Sequence, residues 1–208
     1  MKGEQDPKDQ VRNQVREKYG RVAQEKAGGC GASCCGGPVS FETIQAYGEA
    51  LDYARDDLLL GPGEANLGLG CGNPVGMADL KPGEAVLDLG SGAGFDAFLA
   101  ANRVGSSGGV IGVDMTPEMI QKARQNAETW NISNVDFRLG TLEALPVADD
   151  SVDVILSNCV VNLSPDKAVV FKEMSRCLRP GGRIVISDIL RRGAFSEKLR
   201  NDPEAYTA

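Results

Sequence analysis

The sequence predicts an α/β fold, a doubly wound and mainly parallel sheet, and three observations carry that expectation. From Lys81 onward, short apolar runs alternate with amphipathic stretches, the pattern of parallel strands joined by crossover helices. The run VLDLGSGAGFD, residues 86–96, leads from an apolar strand through a glycine turn into a helix. Glycines at such a turn let the backbone approach a ligand at the carboxyl ends of the strands. A further apolar run, GGVIGVDM, ends on an acid, Asp114, where the next strand of such a sheet should stop.

The elements follow in order. Val11, Val15, Tyr19 and Val22 recur at helical spacing among charges of both signs, so the first segment reads as a helix to about residue 27, packed on the domain. The stretch GGCGASCCGGPVS, residues 28–40, has no periodicity and reads as a mobile loop holding three cysteines. A second glycine-rich loop, ANLGLGCGNPVG at 65–76, surrounds a lone Cys71. A structural cysteine is ordinarily a small hydrophobe in an apolar element, and Cys71 lacks those neighbours. Strands are expected over 85–89, 110–114, 135–139, 152–157 and 183–189, the last after a Pro-Gly-Gly turn. Helices are expected over 95–103, 117–129 and 165–177. Residues 1–79 form an N-terminal helical and cysteine-containing extension, and 80–208 the sheet domain.

Composition narrows the chemistry. The 208 residues are 42% hydrophobic and 25% charged, an ordinary globular balance, with a net charge of −7. Lys and Arg are scattered among acids rather than gathered in a stripe, which argues against nucleic acid as a partner. The N-terminal MKGEQDPKDQ has no apolar core for a signal peptide, and no run reaches the roughly 18 apolar residues of a membrane span. A cytoplasmic monomer that binds no membrane is expected. Six cysteines, Cys30, Cys34, Cys35, Cys71, Cys159 and Cys177, are too sparse for a disulfide scaffold and are expected to be mostly thiols. Histidine is absent. A Ser-His-Asp triad, a Cys-His nucleophile pair and any His-containing zinc site are thereby excluded.

The glycine turn departs from the dinucleotide fingerprint, because Phe95 stands where a third glycine would be required after Gly90 and Gly92. Asp114 is placed to accept hydrogen bonds from a ribose diol. The segments LGTLEALP at 139–146, SNCVVNLSPDK at 157–167 and CLRPGGRIVISD at 177–188 follow in order. Together these resemble the class I S-adenosylmethionine-dependent methyltransferases, of Rossmann-like fold, across most of residues 80–190. The resemblance implies S-adenosylmethionine as cofactor. It further implies that Asp88, Gly90, Ser91, Gly92 and Gly94 lie against the methionine and ribose portion, and that Asp114 holds the ribose hydroxyls. Met115 would pack on the adenine, Thr141 and Leu142 would border its edge, and Asn158 would lie near the amino-acid end. Gly140 stands where many relatives carry aspartate, which leaves backbone contact alone to the adenine there.

Two phrases are not generic to that fold. NLGLGCGNP and SNCVVNLSPDK resemble the arsenite S-adenosylmethionine methyltransferases, and the likeness extends from about Cys34 to the C-terminus. It implies a detoxification enzyme in which Cys71 and Cys159 bind trivalent arsenic, the partners being trivalent arsenicals and a thiol reductant such as glutathione or thioredoxin. Trivalent arsenic is soft and binds thiolates, and its lone pair is the nucleophile, so no proton has to be removed and no histidine is needed. The resemblance also implies a redox relay in which Cys34 or Cys35 forms a disulfide with Cys71. Cys177 lies in an apolar helical pattern and reads as a core residue, and Cys30 has no role. The family uses a third cysteine after the fifth strand, a final strand pair and a smaller C-terminal region, all of which the resemblance implies this chain, ending with NDPEAYTA, lacks, so that the sheet domain is C-terminally truncated. Either the chain is a fragment, or a two-thiolate site serves it, which matches methylarsenite better than arsenite. Two other readings stay open: methylation of a small organic acceptor such as a quinone or sterol, and binding of trivalent arsenic without turnover.

Overall fold

A computed structural model describes residues 6–24, 41–60, 65–190 and 192–193. Among the described residues, strands β1 (Ala85–Leu89), β2 (Gly109–Asp114), β3 (Val135–Leu139), β4 (Val152–Asn158) and β5 (Leu178–Ser187) form one sheet in the order β3-β2-β1-β4-β5. Every pairing in it is parallel. The expected sheet is therefore confirmed, all parallel among these strands.

The helices are α1 (Pro7–Gln24), α2 (Phe41–Ala50), α3 (Arg55–Leu60), α4 (Pro74–Met77), α5 (Phe95–Val104), α6 (Pro117–Thr129) and α7 (Lys167–Cys177). A 3-10 turn spans Val161–Leu163. Strand β1 is apolar on both faces because both are covered, as parallel strands between helices must be. On one face Val86, Val110 and Val154 pack with Phe98 of α5 and Ile120 of α6. On the other, Leu87, Val113 and Ile155 pack with Val170, Met174 and Cys177 of α7. The fully buried Cys177 thus has the core role its helical pattern indicates. None of the helices is long and apolar enough to cross a membrane.

The chain leaves β1 for β2 and β3 on one side, then returns to β4 on the other. The carboxyl ends of β1 and β4 consequently adjoin at a topological switch point, where open α/β sheets bind ligands.

Three differences from the sequence reading have local causes. Residues 41–60, left without an element, hold α2 and α3, which are too short for a strong periodic signal. Part of the expected 65–76 loop is the single turn α4, started by Pro74 and capped by the Asn73 side chain, which accepts from Gly76 N at 2.8 Å. The Pro-Gly-Gly segment lies inside β5 rather than ahead of it. There Val152 faces Leu178 while Val154 already faces Arg183, so an irregularity in the ladder absorbs the extra residues. The loop expected over 28–40, with Cys30, Cys34 and Cys35, lies outside the described residues.

Candidate active site

A cavity opens at the carboxyl ends of β1, β2 and β4. Its floor is the glycine turn after β1. Gly90 and Ser91 both donate their backbone N–H to Val113 O, at 2.8 and 3.1 Å, which folds the turn back over β2. The three glycines of the turn have different reasons. A Cβ on Gly90, at φ 66°, would meet Val160, and one on Gly94, at φ 99°, would meet the rings of Phe98 and Phe137. Gly92, at φ 52°, has nothing within 4 Å of that position and faces the open cavity. Gly94 therefore serves helix–sheet packing and the start of α5 and, unlike Gly90, Ser91 and Gly92, does not line the cavity.

Asp114 is oriented by its own neighbourhood. Its Oδ2 accepts from Gly92 N at 3.0 Å and its Oδ1 from Thr116 N at 2.8 Å. Burial pushes its pKa up, and these backbone donors counter the rise. Met115 and Leu142 line the wall beside it, as does Gly140. Thr141 is not among the lining residues; it forms an isolated bridge to Ala144. Roofing the cavity are Arg12, Val15 and Tyr19 of α1, a helix tethered by ion pairs from Lys8 to Asp166 and from Arg12 to Glu143.

Below the turn sits a cluster of carboxylates. Asp88 is 2% exposed, and its Oδ2, like Ser91 Oγ, has no hydrogen-bond partner among the described residues. Its pKa is raised well above the ordinary carboxylate range, chiefly by burial and then by the charges of Asp96 and Asp114. Asp96 is also pushed up by burial, against hydrogen bonds from Tyr53 and Asn158 that favour its charge. Tyr53 OH donates to Asp96 Oδ1 at 2.6 Å, and burial followed by that charge keeps the phenol protonated.

The thiols meet at the rim. Cys71 and Cys159, 88 residues apart, are joined as a disulfide with their Cα atoms 5.6 Å apart. The glycines flanking Cys71 explain its loop. A Cβ at Gly70 would come 2.8 Å from Asn158 Nδ2, and one at Gly72 would collide with Ser187 Oγ. Only a glycine-bordered thiol can be brought so close to the ends of β4 and β5. Cys159 is held from the other side, its N–H donating to Ser187 O at 2.8 Å and its φ at 57°. The other positive-φ residues that are not glycine are Asp or Asn, which tolerate the left-handed region; Cys159 is the exception. The end of β4 thus brings Cys159 to the glycine loop that holds Cys71; Cys34 and Cys35, the partners of Cys71 that the resemblance implied, lie outside the described residues.

Asn158 stands beside this pair. It lines the cavity, but both amide hydrogens and an oxygen lone pair are engaged with protein atoms. Among the described residues no group of three or more His, Cys, Asp or Glu side chains could hold a metal ion. Sequence reasoning missed Tyr53 and the roof on α1. Asp96 was within reach, as the acid in the first turn of the helix that VLDLGSGAGFD enters.

Comparison with known proteins agrees with this architecture. Residues 80–208 match the family model described as a methyltransferase domain. An arsenite methyltransferase of Halobacterium salinarum is 50% identical over 212 residues, covering 100% of this chain and 54% of its own length. One from Aquipseudomonas alcaligenes is 45% identical over 144 residues, covering 66% of this chain and 41% of its own. Among solved structures, CrArsM, an arsenic(III) S-adenosylmethionine methyltransferase from Chlamydomonas reinhardtii, superposes with a TM-score of 0.61 at 37% identity, covering 77% of this chain and 54% of that one. The chain spans about half the length of the curated relatives it matches. On its sheet order, its glycine turn and this match, the chain has the class I fold and belongs to the methyltransferase-domain family, whose cofactor is S-adenosylmethionine.

Proposed function

We propose that this chain transfers the methyl group of S-adenosylmethionine to trivalent arsenic held by the thiolates of Cys71 and Cys159, as part of arsenic detoxification. The observation that carries the reading is the meeting of these two cysteines at the rim of a cavity suited to that cofactor.

The cavity residues fit the group. The unpartnered Asp88 Oδ2 and Ser91 Oγ are buried polar atoms waiting for a ligand, and the carboxylates of Asp88, Asp96 and Asp114 favour a cationic one. Asp114 has lone pairs left for ribose hydroxyls, Gly92 leaves room for backbone approach, and Met115 and Leu142 offer apolar wall. When bound, S-adenosylmethionine supplies an electrophilic methyl on a sulfonium. The chain's own part is to position. Cys71 and Cys159, once reduced, exchange with two hydroxyls of the arsenical, each thiol proton leaving with a hydroxyl as water while an As–S bond replaces the As–O bond, and the arsenic lone pair stays free as nucleophile. Such positioning replaces a bimolecular encounter, and no base is required. Because the two sulfurs are joined in this structure, a thiol reductant of the glutathione or thioredoxin kind has to open the bond before the arsenical enters. A two-thiolate site matches methylarsenite, with two exchangeable positions, better than arsenite.

The test is turnover of S-adenosylmethionine with arsenite and with methylarsenite in glutathione, products identified by mass spectrometry. Methylated product is expected, faster from methylarsenite, with Cys71→Ser and Cys159→Ser each losing about 100-fold or more while still binding S-adenosylhomocysteine. Cofactor turnover that survives both substitutions would refute the thiolate site and favour an organic acceptor. Arsenic binding without S-adenosylhomocysteine release would point to sequestration.

A further inference from the structure

The side chain of Asn158 grips the loop that carries Cys71. Its Oδ1 accepts from Cys71 N at 2.8 Å, and its Nδ2 donates to Gly72 O at 2.9 Å, so one carboxamide holds two successive residues by their main chain. The same Nδ2 reaches Asp96 Oδ2 at 2.9 Å and Tyr53 OH at 3.1 Å. This fixes which way the amide faces. The Cys71 N–H can only donate and the Gly72 carbonyl can only accept, while Asp96, on the Gly72 side of the amide, accepts the Tyr53 O–H on its other oxygen at 2.6 Å. The amide nitrogen must therefore face Asp96, and its oxygen must face the Cys71 N–H. One residue further along, Cys159 meets Cys71. Gly70 permits the approach, since any Cβ there would strike the amide.

We infer that Asn158 is the positioning residue of the Cys71–Cys159 pair: its carboxamide holds the Cys71 loop where the two sulfurs meet, and Tyr53 with Asp96 holds the carboxamide. The inference deepens the reading of these cysteines as the working thiols and rests on it. Its consequence is a high effective concentration of one thiol at the other. That quantity is measurable without arsenic or methyl transfer, so failure of the methylation assay and failure of this inference are distinguishable.

The experiment uses the full 208-residue chain with Cys30, Cys34 and Cys35 changed to serine, equilibrated in reduced and oxidised glutathione. One oxidised glutathione takes two electrons and two protons from Cys71 and Cys159, giving one protein disulfide and two reduced glutathiones. The mixture is trapped by alkylation and the 71–159 linkage is read by mass spectrometry. In Asn158→Ala and Asn158→Asp the equilibrium constant for closing the bond is expected to fall about tenfold or more, equivalent to about 30 mV for a two-electron couple. Tyr53→Phe keeps both main-chain contacts and loses only the orienting group, so a smaller fall of the same sign is expected. Val104→Ala, a buried change on α5 remote from the thiols, controls for lost stability and should leave the constant within twofold. Should Asn158→Ala fail to fold, Asn158→Asp and Tyr53→Phe carry the test. An unchanged constant in folded Asn158 variants would overturn the inference, as would an equal fall in Val104→Ala.

Discussion

Asp88→Asn separates the empty cavity from the occupied one. The native carboxyl is 2% exposed with one oxygen unpartnered, and it lies beside two further acids. Because its pKa is raised in the folded protein, the native state holds this proton to higher pH than the unfolded chain does. Stability from this group is accordingly present at low pH and lost as pH rises from the unfolded carboxylate value, about 4, through the raised native one. An amide of the same shape does not titrate. With no ligand bound, Asp88→Asn should match the native chain most closely near pH 4 and gain on it steadily toward pH 7.5, because only the native side chain must ionise while buried. With ligand the sign reverses. A carboxylate that meets the ammonium of the ligand's amino-acid end contributes a charge-assisted hydrogen bond, so the variant should bind S-adenosylhomocysteine about 10–100-fold more weakly. Thermal unfolding between pH 4 and 8, with and without S-adenosylhomocysteine, reads both effects. A variant whose stability parallels the native curve at every pH, or whose ligand affinity is unchanged, would refute the assignment of Asp88 to the cofactor and the electrostatics behind it.

Two further substitutions test the frame around the site. Gly90→Ala puts a Cβ 2.5 Å from Val160 Cγ2 at φ 66°, and denaturant unfolding should show a loss of about 2–4 kcal/mol from left-handed strain plus overpacking. Cys177→Ser places a hydroxyl in the fully buried core between α7 and the sheet, so stability should drop by about 1–3 kcal/mol while methylarsenite turnover is kept. A loss of activity out of proportion to the loss of folded protein would show that Cys177 takes part in the thiol chemistry.

Short apolar runs announce the strands even where, as in the edge strand β3, only Phe137 is buried. β1 and β3 fall on the expected bounds, and β2 and β4 differ from theirs by one residue at a single end. β5 was harder, because Pro180, Gly181 and Gly182 spell a turn locally and are nonetheless held in the ladder by β4. The thiol pair was legible because a cysteine ringed by glycines and a cysteine after an apolar strand are each odd on their own terms. Their supports were not. Tyr53 meets Asp96 across 43 residues and Asn158 meets Tyr53 across 105, and neither partner carries a local pattern that points to the other. The same holds for α1, whose apolar stripe says that it packs but not that Val15 and Tyr19 roof a cavity.

The register of the sheet explains why the glycine turn and the thiols share one rim. Leu89 of β1 pairs with Ser157 of β4, so the next residues, Gly90 just past β1 and Asn158 at the last position of β4, stand at the same level. One begins the glycine turn, and the other precedes Cys159. Asp96, at the start of the helix following that turn, accepts from Asn158 and lies within electrostatic reach of Asp88. A positive charge entering the cavity lowers the cost of ionising both acids, and an ionised Asp96 is a stronger acceptor for Asn158 Nδ2 than a neutral one. The amide that holds the Cys71 loop is therefore held best when a positive charge stands beside Asp88 and Asp96, so the coupling of the two halves of the cavity follows from strand register and one hydrogen bond.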